Sequence, residues 1–434
     1  MKTAILGFGV EGKSTYQYLR GQNPRCEIDI FDQAELTSND VKITTVSNFT
    51  DIDYSPYDMI VRSPSIPPDA VFDKIAQDHG GSHDFTFTSA TQIFFDRCPA
   101  PIIGVTGTKG KGTTCSLISS ILTAAGRNNF LVGNIGTPAL DILSQVAPND
   151  VIVYELSSFQ LWNLNRSPQV AVILTIAPDH LDIHDNFDQY VSAKTNITKF
   201  QNPSDIVIYL ETNSFAHQIA ESSPSQNKLA FPSSEGAHIS DNSFFFAEHK
   251  ICSIDVLALP GKHNQENTLA AISAIWQFTQ DSQAIESGIQ NFHGLPHRIE
   301  FIRELGGVSY YDDSFSSASP ALEVAIQAFP CEIVLIAGGF DRGLDLSPIS
   351  SAINSAHNIK KTILIGQTKH KIATGLRPDT YIFADTLEEA ISVANSVASR
   401  GDIVLLSPGC PSFDMFKNFS DRGDQYQKLI RNLS

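Results

Sequence analysis

Short apolar runs that end in glycine-rich turns, each followed by a stretch of helical period, set the plan of this chain. Lys2-Thr3-Ala4-Ile5-Leu6 runs into Gly7-Phe8-Gly9-Val10-Glu11-Gly12 and then into a helical pattern. Pro101-Ile102-Ile103 runs into Gly104-Val105-Thr106-Gly107-Thr108-Lys109-Gly110-Lys111-Gly112-Thr113-Thr114. After that turn Leu117, Ile118, Ile121, Leu122 and Ala125 recur at helical spacing, and Gly126 supplies a stop. Strands are expected at 27–31, 151–154, 170–174, 308–311, 333–337, 362–365, 381–383 and 403–406, with helical stretches such as 387–398 between them. A helix is expected from about Glu266, and the polar, turn-rich segment 228–250 reads as hairpins or an insertion. Strands alternating with helices predict an α/β protein with parallel, doubly wound sheets.

Composition narrows the classes. At 434 residues the chain exceeds one ordinary core. The prolines at 99 and 101 and the His297-Arg298 region divide it into three expected domains: an N-terminal Rossmann-like block (1–97), a central P-loop block (98–298) and a C-terminal Rossmann-like block (299–434). Hydrophobic residues make up 42% and charged residues 18%, which suits a globular protein with an ample core. A net charge of −17 argues against nucleic acid or an anionic membrane as partner. The six cysteines form no close pair, as expected of reduced thiols in the cytoplasm. The apolar start is broken by glycines, Glu11 and Lys13, unlike a signal peptide, and no apolar run is long enough to span a membrane.

The turn at 104–114 carries the clearest chemistry. Backbone N–H groups and the positive end of a helix can cradle phosphate, Lys111 can reach the terminal phosphates, and a threonine hydroxyl can ligate magnesium. The turn departs from the common P-loop: five residues separate Gly104 from Gly110, and Gly112 follows the lysine, which leaves Thr113 as the magnesium ligand. This variant resembles the Mur ligase and folylpolyglutamate synthetase superfamily of ATP-dependent amide ligases.

That resemblance implies further roles, residue by residue. Tyr154-Glu155-Leu156-Ser157-Ser158-Phe159-Gln160-Leu161 is similar to a family segment in which Glu155 would hold the first magnesium and Ser157 would meet substrate. Asp179-His180-Leu181-Asp182 assigns His180 to the second magnesium, and Lys194 matches a lysine that the family carbamylates to help position it. Gly133-Asn134-Ile135-Gly136 makes Asn134 a substrate contact. Gly261-Lys262-His263-Asn264-Gln265-Glu266-Asn267, taken as preceding a helix, makes Asn264 and Asn267 adenine contacts. Arg298 and Asp313 would complete the nucleotide site, with Gly107, Thr108, Lys109, Gly110, Lys111, Gly112, Thr113 and Thr114 around the phosphates. Lys111, His180 and Lys194 are the implied catalytic residues.

The first turn admits two enzyme readings. Gly7-x-Gly9-x-x-Gly12 with Asp32 about twenty residues on is the dinucleotide fingerprint of a dehydrogenase. By resemblance it is instead the uridine-diphosphate site of the D-glutamate-adding family member, with Val10, Glu11, Asp32, Gln33 and Ser63 as contacts. The second reading explains both glycine turns at once. At the far end, Tyr311-Asp312-Asp313-Ser314-Phe315-Ser316-Ser317 is similar to Asp-Ser-Lys-Ala-Thr, with Phe315 replacing the lysine. Arg342 stands for another lysine, and arginine can grip a carboxylate in two places. Ser317, Arg342, Ser412 and Phe419 then form the implied glutamate site, the last two from a Leu-Ser-Pro-x-x-x-Ser-x-Asp-x-Phe pattern at 406–416 and its continuation.

The expected protein is a monomeric cytoplasmic ligase. It uses ATP, two magnesium ions and a carbamylated Lys194 to join D-glutamate to UDP-N-acetylmuramoyl-L-alanine in peptidoglycan synthesis. Domains closing near 97–101 and 298 would exclude water. An L-glutamate-adding variant, a folylpolyglutamate synthetase-like ligase and a non-catalytic nucleotide binder stay open as alternatives.

Overall fold

A computed structural model describes residues 2–36, 41–81, 84–259 and 261–433. They fall into two compact units, one comprising 1–257 and 262–292 and the other 258–261 and 293–434.

The first unit carries two parallel sheets. The N-terminal sheet contains β1 (Lys2–Leu6), β2 (Glu27–Asp32), β3 (Ile43–Thr45), β4 (Met59–Arg62) and β5 (Thr86–Ser89), in the order β3-β2-β1-β4-β5. The order reverses between β1 and β4, which opens a crevice at their carboxyl ends, where open α/β sheets bind ligands. The second sheet contains β6 (Ile102–Thr106), β7 (Asn129–Gly133), β8 (Val151–Glu155), β9 (Val170–Ile173), β10 (Ile206–Leu210) and β11 (Asn227–Phe231), in the order β11-β10-β9-β6-β8-β7. Here β6 lies between β8 and β9, so the residues that follow these three strands share one edge. The segment 228–250 gives β11 and most of a separate antiparallel sheet of β12 (Ala237–Ser240), β13 (Ser243–Phe246) and β14 (His249–Ser253).

The second unit holds β15 (Glu300–Leu305), β16 (Val308–Asp312), β17 (Ile333–Gly338), β18 (Ile359–Ile365), β19 (Tyr381–Phe383) and β20 (Ile403–Leu406). Their order is β15-β16-β20-β17-β18-β19. Helices cover both faces, so β17 is apolar throughout. Ile333, Leu335 and Ala337 join one core, while Val334 and Ile336 join the other. The antiparallel edge strand β15 departs from the expected all-parallel sheet, because the Gly306-Gly307 turn lets 300–312 fold as a hairpin. Among the described residues no helix is long and apolar enough to cross a membrane.

Candidate active site

The glycine turn after β6 folds as a phosphate cradle. Gly110 is the N-cap of the helix Lys111–Ala124, with φ +86°, in the left-handed region that favours glycine. A Cβ there would lie 2.4 Å from Asn267 Oδ1, and one on Gly107 would lie 2.8 Å from Leu174 Cβ. Thr108 anchors the turn to the segment after β9: its N–H donates to Thr175 O (2.7 Å), and its hydroxyl donates to Ala177 O (3.0 Å). Lys111 Nζ donates to Gly107 O (3.0 Å) and Thr108 O (3.2 Å), so the ammonium lies over the turn. Thr113 and Thr114 are buried in the helix's first turn, and Lys109 is exposed. Thr114 Oγ1 donates to Asn267 Oδ1 (3.4 Å), and Asn267 Nδ2 donates to Asn264 Oδ1 (3.3 Å). Both asparagines lie inside the helix Lys262–Ile275 and not before it, because that helix begins four residues earlier than expected.

Replacing Gly110 with alanine both strains φ and drives Cβ into Asn267. A non-glycine residue in this region costs about 1–3 kcal/mol. Gly110→Ala is therefore expected to weaken ATP binding by about tenfold or more, measured by titration calorimetry, while the circular dichroism spectrum stays that of the folded protein.

The carboxyl ends of β6, β8 and β9 gather the remaining chemistry of the first unit. Glu155 ends β8 and is 4% exposed; Asn134 Nδ2 donates to its Oε1 at 3.4 Å. Lys194, in the helix Phe187–Lys199, is 1% exposed. Its Nζ donates to Thr106 Oγ1 (3.2 Å) and Gly107 O (3.0 Å) and lies 4.8 Å from the centre of the Tyr190 ring. Burial, then the charge of Lys111, hold its amine well below the usual lysine range, with Asp179 and Glu155 pulling the other way. His180 is exposed, has φ +54°, and packs against Phe159 with ring centres 4.9 Å apart. Asn186 caps the next helix.

In the N-terminal sheet Gly7 (φ +82°) lies against Ser63, whose hydroxyl donates to Gly7 O at 3.0 Å. A Cβ on Gly12 would meet Gly7 O at 2.1 Å. Asp32 Oδ2 accepts from Phe8 N (2.6 Å), which binds the end of β2 to the turn after β1. Gln33 Nε2 donates to Ser47 O (3.1 Å). Val10 is exposed, whereas Glu11 reaches Gln160.

Arg298, Asp313, Ser317, Arg342, Ser412 and Phe419 all lie in the second unit. Asp313 follows β16 and accepts from Ser407 Oγ (2.7 Å) and Ile299 N (3.2 Å); burial pushes its carboxyl up to about 7. The Arg298 guanidinium lies 4.3 Å from the centre of the Phe315 ring, and Phe419 meets Phe315 edge-on at 5.1 Å. Where the motif carries a lysine, this chain therefore places an arginine-bearing aromatic platform. Ser412 is buried, whereas Ser317 and Arg342 are exposed.

Among the described residues, one trio of His, Cys, Asp or Glu ligand atoms lies within 4.8 Å: His297, Glu300 and Asp312. Hydrogen bonds account for it. His297 Nδ1 faces Asp312 Oδ2 at 2.7 Å, and His297 N donates to Glu300 Oε2 at 2.8 Å. Gln427 Nε2 donates to both carboxylates, at 2.9 and 3.0 Å. The bond to Asp312 raises the imidazole pKa, which favours the charged, hydrogen-bonded form. Arg62 and Gln427 are site-supporting residues that no motif marked, because they act through partners far away in sequence, and Gln160 lay inside the 154–161 motif without a role of its own.

Comparison with known proteins adds the family. Residues 105–275 match the Mur ligase middle domain, and residues 297–410 match the Mur ligase, glutamate ligase domain. The chain is 34% identical to a UDP-N-acetylmuramoylalanine–D-glutamate ligase of Clostridium kluyveri, over 100% of this chain and 97% of the other. It is also 34% identical to the enzyme of that name from Clostridium acetobutylicum, over 100% and 96%. Among solved structures it resembles the UDP-N-acetylmuramate-alanine ligase MurC of Thermotoga maritima, with a TM-score of 0.61, 16% identity and 99% of both chains covered. The MurF ligase of Thermotoga maritima in complex with ADP gives a TM-score of 0.57 at 16% identity, over 99% of this chain and 95% of the other. A three-domain α/β fold is common to these proteins, and relatives at this identity align from one end of the chain to the other: the chain belongs to the Mur ligase family.

Proposed function

We propose that this protein is an ATP-dependent ligase that forms the amide between the alanine carboxylate of UDP-N-acetylmuramoyl-L-alanine and the amine of D-glutamate. The observation that carries this reading is the Gly107–Thr113 cradle at the strand-order switch, with Glu155 ending the adjacent strand and Lys194 buried behind the turn. The relatives aligned along the whole chain are named for this reaction.

The division of labour follows the three blocks 1–97, 98–298 and 299–434. The crevice beside Gly7–Gly12, Asp32, Gln33 and Ser63 takes the uridine diphosphate end. The cradle, with Asn264 and Asn267, takes ATP, and Ser317, Arg342, Ser412 and Phe419 take glutamate. A carboxylate must approach a polyanion, so the positive charge of Lys111 and the helix N-terminus lowers that barrier. The carboxylate oxygen attacks the γ-phosphorus, the bond to the β-phosphate oxygen breaks, and an acyl phosphate and ADP result. The glutamate amine then attacks the acyl carbon, loses a proton and expels phosphate. The second step needs water kept out, which is the role of closure near 97–101 and 298.

Thr113 and Glu155 offer the oxygen ligands that suit a hard cation, with His180 and a carbamylated Lys194 serving a second one. Magnesium bound there would supply charge neutralisation on the phosphates. The neutral, buried Lys194 amine is the form that adds carbon dioxide. We place the reaction in the cytoplasm, with the protein acting as a monomer.

Magnesium-dependent phosphate release from ATP with UDP-N-acetylmuramoyl-L-alanine tests the reading. Release is expected with D-glutamate and not with L-glutamate or no amino acid, and the product should have the mass of the amide. Preference for L-glutamate would overturn the stereochemical part of the proposal. Bound ATP with no release under any condition would overturn the ligase activity.

A further inference from the structure

Two charged residues of the N-terminal sheet converge on one short helix of the second sheet. Glu11, in the first turn of the helix Val10–Gln22 that follows β1, accepts a hydrogen bond from Gln160 Nε2 at 2.7 Å. Arg62 ends β4 and is 1% exposed. It donates from Nη2 to Phe159 O (2.8 Å) and from Nε to Asn163 Oδ1 (3.0 Å). Its remaining nitrogen, Nη1, donates to Ile66 O (2.9 Å) and Pro64 O (3.2 Å), in the loop that follows β4. Phe159 and Gln160 lie in the helix Ser158–Leu161, three residues beyond Glu155.

The direction of each bond is dictated by chemistry. Ser157 N can only donate, and it faces Gln160 Oε1 at 3.0 Å; Ser157 Oγ donates to the same oxygen at 3.1 Å. Gln160 must therefore turn its NH2 toward Glu11, and Glu11 must accept. The carboxylate thus sets the Gln160 amide, which in turn sets Ser157, the cap of this helix. The other carboxylate oxygen, Oε2, is buried with no hydrogen-bond partner among the described residues. Burial raises the Glu11 carboxyl, while Gln160 and the Arg62 charge pull it back.

We propose that Glu11 and Arg62 are positioning residues that clasp the Ser158–Leu161 helix from the two sides of the first sheet's switch point, Glu11 from the helix after β1 and Arg62 from the end of β4, and so register the nucleotide-sugar end of the substrate with Ser157 and Glu155 at the phosphoryl-transfer end. The inference rests on the function proposed above. It predicts that breaking the clasp weakens the use of the nucleotide sugar more than the use of ATP.

A donor–acceptor exchange tests it. Gln160→Glu alone sets two carboxylates face to face and is expected to raise KM for UDP-N-acetylmuramoyl-L-alanine about tenfold, the scale of a lost charged hydrogen bond. KM for ATP should change by less than about threefold. Glu11→Gln alone exchanges the charged acceptor for a neutral one and should raise KM for the nucleotide sugar, by less than Gln160→Glu does. The double variant Glu11→Gln/Gln160→Glu restores every donor to an acceptor and should recover KM to within about threefold of the wild type. Arg62→Met should raise the same KM, with ATP binding by calorimetry retained. Unchanged KM in Gln160→Glu and Arg62→Met would overturn the clasp. So would parallel losses in both KM values and melting temperature that the exchange does not repair, since that is the mark of a purely structural role. A wild type that fails to bind the nucleotide sugar in calorimetry would instead overturn the functional reading, and the clasp with it.

Discussion

Lys194→Met is expected to remove most ligase activity while leaving the apo protein at least as stable as the wild type. The lysine is fully enclosed, with its amine on Thr106 Oγ1 and Gly107 O, and burial holds it toward the neutral form. Unfolding returns it to water, where it is protonated. Between its native pKa and the usual lysine value the unfolded chain therefore binds more protons, so stability rises with pH across that window and falls as pH drops through the native pKa. Methionine fills similar volume without this term, so the variant's melting temperature should depend less on pH, measured in carbon dioxide-free buffer. Activity should move the other way. Losing the carbamate proposed at Lys194 is expected to lower kcat by roughly 10²–10³, the scale of removing one preorganised electrostatic group. Bicarbonate should stimulate the wild type and leave Lys194→Met unaffected. A wild type of unmodified mass in bicarbonate, together with a fully active variant, would refute the role.

How much of this was legible before folding varied with sequence distance. The two glycine turns announce themselves because steric demands fall on single residues: Gly12 cannot carry a Cβ against Gly7 O, nor Gly110 one against Asn267 Oδ1. The buried strands of the parallel sheets are continuous apolar runs, and β17 and β20 lie where that pattern puts them. The edge strand β15 was hidden because Glu300, Arg303 and Glu304 interrupt any apolar pattern on a strand with one neighbour. The β12–β14 sheet was visible only as turn chemistry around Phe244–Phe246. Of the candidate site, the cradle, Glu155 and Lys194 could be named from motifs. What those motifs could not supply was the support: Arg62 meets Asn163 across 101 positions, and Lys194 meets Thr106 across 88. No local period or spacing encodes such pairs. The Phe315 substitution reads differently once folded, since its ring carries Arg298.

Arg422→Met should produce the largest loss of stability in the second unit. Arg422 is 0% exposed, and its guanidinium ties its own helix to the two segments that follow β16 and β20. Nε donates to Ser314 Oγ (2.9 Å), Nη2 to Ser314 O (2.8 Å), and Nη1 to Cys410 O (3.1 Å) and Pro411 O (3.3 Å). Ser314 Oγ in turn donates to Phe419 O at 2.7 Å. Methionine keeps the apolar stem but leaves three buried carbonyls without that donor. Each such orphan costs about 1–3 kcal/mol, and the terms are not fully additive. The expected destabilisation is about 3–5 kcal/mol, or roughly 10 °C in melting temperature for a unit of this size. Lysine should not rescue it, because one ammonium cannot span the planar set of acceptors that the guanidinium reaches. The same bonds fix Ser314, Pro411 and Phe419 around the proposed glutamate site. KM for glutamate should therefore rise in Arg422→Lys, assayed well below its melting temperature, while ATP binding by calorimetry stays near the wild type. A variant that melts with the wild type would mean that these carbonyls find other donors and that the guanidinium is not what holds the segments together.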